Sequence, residues 1–150
     1  MQISLCINNR ACQIDVRPDE MLLETLRKRG LMSVRQGCDT RGCGICTVWV
    51  QEQPVLSCSY PAVRADGKRI TTLEGLQEEA EQFTKYMARE GADQCGYCSP
   101  GLIMTVLAMK RQLKNPNQEA IRRYLVGNLC RCTGYAAQQR AIEAFMGVAP

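Results

Sequence analysis

Residues 37–46 read Gly37-Cys38-Asp39-Thr40-Arg41-Gly42-Cys43-Gly44-Ile45-Cys46, and a fourth cysteine, Cys58, follows in the next strand-like stretch. Three thiols in one short loop can wrap a compact inorganic core only if the backbone bends sharply around it. Gly37, Gly42 and Gly44 supply that freedom, because glycine reaches positive φ and lets backbone N–H groups approach sulfur. The spacing Cys38-x4-Cys43-x2-Cys46 with a more distant Cys58 is that of four thiolates holding a [2Fe–2S] cluster. A zinc site or ordinary buried cysteines are the competing readings. The interleaved glycines and the x4, x2 pattern favour the cluster.

Outward from this loop, residues 2–7 and 11–17 alternate as strands, with Ile3, Leu5 and Ile7 on one face. Asn8-Asn9 between them suits a tight hairpin, since asparagine tolerates positive φ. In the register this turn imposes, Leu5 faces Cys12 and Cys6 faces Ala11. Cys6 and Cys12 then lie on opposite sheet faces and cannot pair, so they read as small structural residues. A helix is expected near Met21–Arg29, with Leu22, Leu23 and Leu26 inward and Gly30 as its stop. Thr47–Val50 and Val55–Cys58 read as two more strands joined by Gln51–Pro54, and residues 59–72 as a connection. Two hairpins around one helix give a plant-ferredoxin-like β-grasp over residues 1–72.

From residue 73 the pattern turns helical. Gln77–Arg89 is charged and helix-prone, and Ser99-Pro100 reads as an N-cap followed by a first-turn proline. Leu102, Val106, Met109 and Leu113 repeat at helical spacing; Ile121 and Leu125 mark a third helix, and Ala141, Ile142 and Phe145 a fourth. The expected class is α+β: a β-grasp domain, 1–72, followed by a four-helix domain, 73–150. The second half holds its own four thiols, Cys95-x2-Cys98 and Cys130-x-Cys132, each pair just ahead of a helix whose N-terminus favours thiolate. The alternatives are a structural zinc and a thioredoxin-like pair at Cys95–Cys98. Zinc sites usually use wider chelating pairs than Cys-x-Cys, and a redox pair leaves Cys130 and Cys132 unexplained.

Composition narrows the function. There is no histidine among the 150 residues, which excludes Rieske ligation, histidine-bound zinc or haem, and imidazole catalysis. The formal charge of +4 assumes neutral cysteines. Eight ligating thiolates would remove eight units and two oxidised cores return about four, so the holoprotein is about neutral and makes no case for nucleic acid. No apolar run approaches the ~20 residues that span a bilayer. Met1-Gln2-Ile3-Ser4-Leu5 runs straight into strand-like sequence without a secretory pattern, so a cytoplasmic chain whose clustered cysteines bind metal is expected.

Three stretches, read in order, carry a family likeness: Gly37-Cys38…Cys43-Gly44-Ile45-Cys46-Thr47, Gln94-Cys95-Gly96-Tyr97-Cys98-Ser99-Pro100-Gly101, and Gly127-Asn128-Leu129-Cys130-Arg131-Cys132-Thr133-Gly134-Tyr135. Over nearly its whole length the chain resembles the small iron–sulfur subunit of the molybdenum hydroxylases, the xanthine dehydrogenase and aldehyde oxidoreductase family. The resemblance implies an electron-transfer subunit, with substrate chemistry on a large subunit that carries a molybdenum–pterin cofactor. Electrons would pass through two [2Fe–2S] clusters to FAD on a medium subunit, in a heterotrimer or a dimer of heterotrimers. It makes Cys95, Cys98, Cys130 and Cys132 the molybdenum-proximal ligands, and Cys38, Cys43, Cys46 and Cys58 the flavin-proximal ones. It also places Gln94 and Cys132 against the pterin. The loop departs from the family at Arg41, where glycine is usual, and Gln51–Pro54 lacks the usual glycine turn. The finer expectation is a xanthine or purine dehydrogenase. The alternatives from other classes are a free-standing two-cluster carrier or iron–sulfur sensor, and a structural two-zinc adaptor.

Overall fold

The computed structural model describes residues 1–148. β1 (Gln2–Ile7) and β2 (Arg10–Asp15) form the expected hairpin, with Leu5 opposite Cys12 and Cys6 opposite Ala11. Asn8 and Asn9 both adopt left-handed φ, 48° and 65°, which matches the twist of the strands they join. α1 (Leu22–Lys28) buries Leu22, Leu23 and Leu26 against the sheet. β3 (Thr47–Val50) and β4 (Gln53–Leu56) form the second hairpin. A fifth strand, β5 (Arg69–Thr71), completes a sheet of order β2-β1-β5-β3-β4, in which β1 and β5 run parallel. The expected β-grasp is therefore present.

Three local expectations are corrected. The stretch 59–72 is not merely a connection, because β5 is the central strand, held by buried Ile70 opposite Ile7 and Val50. Three residues are too few to show a period. The β3–β4 turn is Gln51-Glu52 alone, both at positive φ (50° and 66°), and β4 starts two residues earlier than expected. As a result Cys58 sits beyond the strand, in a single 3₁₀ turn, Ser57–Ser59.

The second half is built of four helices, α2 (Gln77–Glu90), α3 (Ser99–Gln112), α4 (Gln118–Tyr124) and α5 (Ala136–Met146). α3 is the central rod, buried without interruption from Pro100 to Met109, which is why its sequence is apolar on every side. α2 and α5 meet through Phe83 and Phe145, ring centroids 5.0 Å apart, with Tyr86 edge-on to Phe145. Asn117 caps α4 by accepting from the Ala120 N–H at 2.8 Å.

The halves share a seam. All four residues of β3 are buried: Val48 and Val50 join the β-grasp core, while Trp49 enters the helical core. The Trp49 indole N–H donates to the Met104 carbonyl of α3 at 2.9 Å, and the Arg111 guanidinium lies 4.5 Å over its ring. Among the described residues no helix is long and apolar enough to cross a membrane.

Candidate metal centres

The loop between α1 and β3 brings Cys38, Cys43 and Cys46 together, and the 3₁₀ turn after β4 adds Cys58. That turn is tied to the loop because the Ser57 hydroxyl and N–H both donate to the Cys46 carbonyl, at 2.7 and 3.3 Å. The loop bends where the sequence made it awkward. Among the residues expected to supply positive φ, only Gly44 does so (73°), and the other left-handed position is Arg41 (59°). Gly37 matters in another way: a Cβ there would lie 2.3 Å from Ile45 Cδ1 and 3.2 Å from Ile45 Cβ, so the isoleucine side chain would have to turn.

The loop amides point at sulfur. Hydrogen bonds from the Cys43 thiol, then from the Gly42 and Cys43 N–H groups and the Thr40 hydroxyl, pull Cys38 down to about 6. Burial, then the Cys46 thiol, pushes Cys58 up to about 11, and burial also raises Cys43. Cys38 and Cys58 are thus each governed partly by a neighbouring thiol, Cys43 for the one and Cys46 for the other.

The second group shows the same mutual influence of neighbouring thiols. Cys98 is the N-cap residue of α3, displacing the expected Ser99, whose hydroxyl instead donates to Asp93 at 2.7 Å. Half-buried Cys98 faces Cys130, and burial followed by the Cys130 thiol raises Cys98 to about 11. Burial opposes ionisation of Cys130, but the Thr133 hydroxyl at 3.2 Å and the Thr133 and Cys132 N–H groups outweigh it and lower its pKa. Exposed Cys132 pairs with exposed Cys95, whose thiol is the main cause of its raised pKa. The Tyr97 N–H donates to Cys95 Sγ at 3.5 Å.

The eight thiols fall into two groups of four neighbours, and four thiols per place are the donor set a [2Fe–2S] core would take. Among the described residues no three cysteine or carboxylate side chains converge on the position of a single ion. The residues fit a dinuclear cluster at each place, and a cluster so held supplies one-electron transfer.

The two centres abut. The Leu129 N–H, next to Cys130, donates to the Cys43 carbonyl at 2.9 Å. Cys43 on one side and Cys98 and Cys130 on the other line a common gap of about 10 Å³, together with Ile45, Asn128 and Gln138. The backbones touch across it: a Cβ on Gly44 would sit 2.2 Å from the Gly127 carbonyl, and one on Gly101 2.5 Å from the Gly44 carbonyl. Arg35 clamps the cysteine loops by donating to the Gly96 and Tyr97 carbonyls at 2.7 and 3.1 Å, and the Tyr97 hydroxyl returns a bond to the Gln36 carbonyl at 2.8 Å. At the far end Cys95 and Cys132 are exposed, as is Gln94.

Sequence reasoning missed Gln138, which is 5% exposed and donates from Nε2 to Cys98 Sγ at 3.9 Å. The signal was present. Gln138 precedes Ala141, Ile142 and Phe145 by three, four and seven residues, so it lies on their buried stripe. The contacts of Leu129, Arg35 and Thr133 left no such trace.

Two thiolate-rich centres in backbone contact, one on a β-grasp and one on a helical half, define an iron–sulfur electron-transfer protein. Comparison with known proteins agrees. A family model for a 2Fe-2S iron-sulfur cluster binding domain matches residues 6–82, and one for a [2Fe-2S] binding domain matches residues 72–143. The xanthine dehydrogenase iron-sulfur-binding subunit of Escherichia coli O157:H7 is 46% identical over 137 residues, 89% of this chain and 86% of that protein. The nicotinate dehydrogenase small FeS subunit of Eubacterium barkeri is 41% identical over 94% of both chains. The structure of quinoline 2-oxidoreductase from Pseudomonas putida 86 superposes with a TM-score of 0.88 at 34% identity, covering 98% of this chain and 94% of that one. The chain belongs to the iron–sulfur subunits of the molybdenum hydroxylase family, and its cofactors are two [2Fe–2S] clusters.

Proposed function

We propose that this chain carries electrons from the molybdenum–pterin cofactor of a large subunit to FAD on a medium subunit, within a cytoplasmic xanthine or purine dehydrogenase. In this reading Cys95, Cys98, Cys130 and Cys132 hold the cluster that receives electrons, and Cys38, Cys43, Cys46 and Cys58 hold the one that passes them on. The two folding units are 1–72 and 73–150, each with one centre.

The observation that carries the reading is the graded burial of the thiols. Cys95 and Cys132 are exposed, Cys98 and Cys130 are half-buried, and Cys43 behind them is buried and bonded through its carbonyl to Leu129. Such a row has an open end and an inner end joined by backbone. Gln94 stands exposed at the open end, where its amide is able both to donate to and to accept from a pterin edge. Tyr97, Leu129 and Tyr135, sequence neighbours of these cysteines, are 47%, 51% and 45% exposed. Apolar surface at that place fits coverage by a partner subunit. The names of the relatives in E. coli and E. barkeri point to nitrogen heterocycles, and the higher identity favours the purine.

The test is purification of the native assembly through a tag on this chain. Co-purification of molybdenum and flavin subunits, with both EPR signals reduced by xanthine, is the expected result. A monomer stable with both clusters and no partner means a free-standing carrier. In the assembly Gln94→Ala should keep both clusters while loosening the molybdenum cofactor; unchanged turnover and cofactor content would remove Gln94 from the pterin site.

A further inference from the structure

We infer that Gln138 sets the reduction potential of the helical-half centre, by donating its amide N–H to the sulfur of Cys98. The inference rests on the proposed role of Cys98 as a ligand, and deepens it.

Gln138 lies in the first turn of α5 on the face that buries Ala141, Ile142 and Phe145. An apolar side chain would suit that stripe. Placing a primary amide there costs free energy unless its groups find partners. Its Nε2 finds one in Cys98 Sγ, 3.9 Å away. A thiolate only accepts, so the amide must present N–H rather than C=O to it. The side chain also lines the narrow gap between the centres, with Cys43, Cys98 and Cys130. It therefore acts where charge changes on electron transfer, and away from the exposed end.

Reduction of a cluster adds one electron and no proton, so the reduced form is the more negative one. A donor to a ligand sulfur stabilises that form more than the oxidised one and raises the potential. Gln138 thus makes the centre a better acceptor than an all-apolar α5 stripe would. Backbone N–H groups reach sulfur elsewhere in this centre too, Tyr97 N–H to Cys95 Sγ at 3.5 Å among them, but Gln138 is the side-chain amide that does so.

The experiment is an EPR-monitored redox titration of the full-length, cluster-loaded chain, wild type against Gln138→Met and Gln138→Asn. Methionine keeps the length and removes the donor; asparagine keeps the amide but falls one methylene short. Cys43→Ser and Cys98→Ala assign the two signals. Both Gln138 variants should move the helical-half midpoint to lower potential and leave the other unmoved, with iron content unchanged. Wild-type midpoints in an iron-replete variant overturn the inference. So does loss of the helical-half signal in both variants, which would make Gln138 a requirement for assembly instead. Retention of that signal in Cys98→Ala refutes the ligand reading itself, independently of either glutamine variant.

Discussion

Gly101 is the position where the seam between the halves tolerates least. It lies in the first turn of α3, and an added Cβ would meet the Gly44 carbonyl at 2.5 Å, the Ile45 carbonyl oxygen at 2.6 Å and its carbon at 2.8 Å. All three are backbone atoms of the cysteine loop and have no rotamer by which to yield. Ordinary contact begins near 3.4 Å, so Gly101→Ala must push α3 and the loop apart by about 0.9 Å. Overpacking of this kind costs about 1–3 kcal/mol. For a chain of this size each kcal/mol lowers Tm by roughly 2–4 °C. Anaerobic urea unfolding followed by Trp49 emission measures the stability loss. The magnetic interaction between the two reduced centres, read as splitting or broadening in EPR, measures the separation and should weaken. Gly127→Ala is the control, with no atom within 4 Å of the new methyl and no positive φ. If Gly101→Ala and the control both fall within about 0.5 kcal/mol of wild type, the close-approach reasoning is wrong.

Two further outcomes follow from strain and charge. Arg41 holds a left-handed φ of 59° that costs an L-residue roughly 1–2 kcal/mol, and part of the gain from glycine is lost to the freer unfolded chain. Arg41→Gly should therefore stabilise the loop by about 0.5–1 kcal/mol in denaturant titration, and a loss of stability would show that the guanidinium has an unrecognised partner. Glu20 is 2% exposed; burial pushes its carboxyl up, but Lys28 and Thr25, each at 2.8 Å, outweigh burial and lower it below 4.5. Its contribution is present above pH 4.5 and disappears as pH falls through the depressed folded value. Glu20→Gln should cost about 1.5–3 kcal/mol at neutral pH, with the gap to wild type closing in acid; a gap that does not change with pH contradicts the assignment.

Much of this was legible in the chain. Asn8-Asn9 fixes the first hairpin because both asparagines accept positive φ, and the register of Cys6 and Cys12 follows from that alone. The spacing of the cysteines points to two [2Fe–2S] centres, one in each half, as the two matching family models have it. What escaped is structure made by tertiary contact. β5 is three residues long and is a strand only because Ile70 fits between β1 and β3. The positive φ at Arg41 obeys the shape of the cysteine loop and not the residue's preference. Gly101 is glycine for the nearness of another segment's backbone, which no local pattern records. Gln138 lies on a core stripe, but a glutamine there resembles a surface glutamine until its partner, Cys98, is known.

Trp49, the chain's single tryptophan, leaves its own sheet to fill the core of the neighbouring helices. Neither half can keep it as a finished interior alone: severed at the seam, the first would display a large indole to water and the second would lack the ring on which Met104 and Arg111 close. The two centres thus sit on parts that share one piece of interior. The indole's fluorescence offers a gauge of that sharing, reporting whether the two parts have met before either has been asked to carry charge.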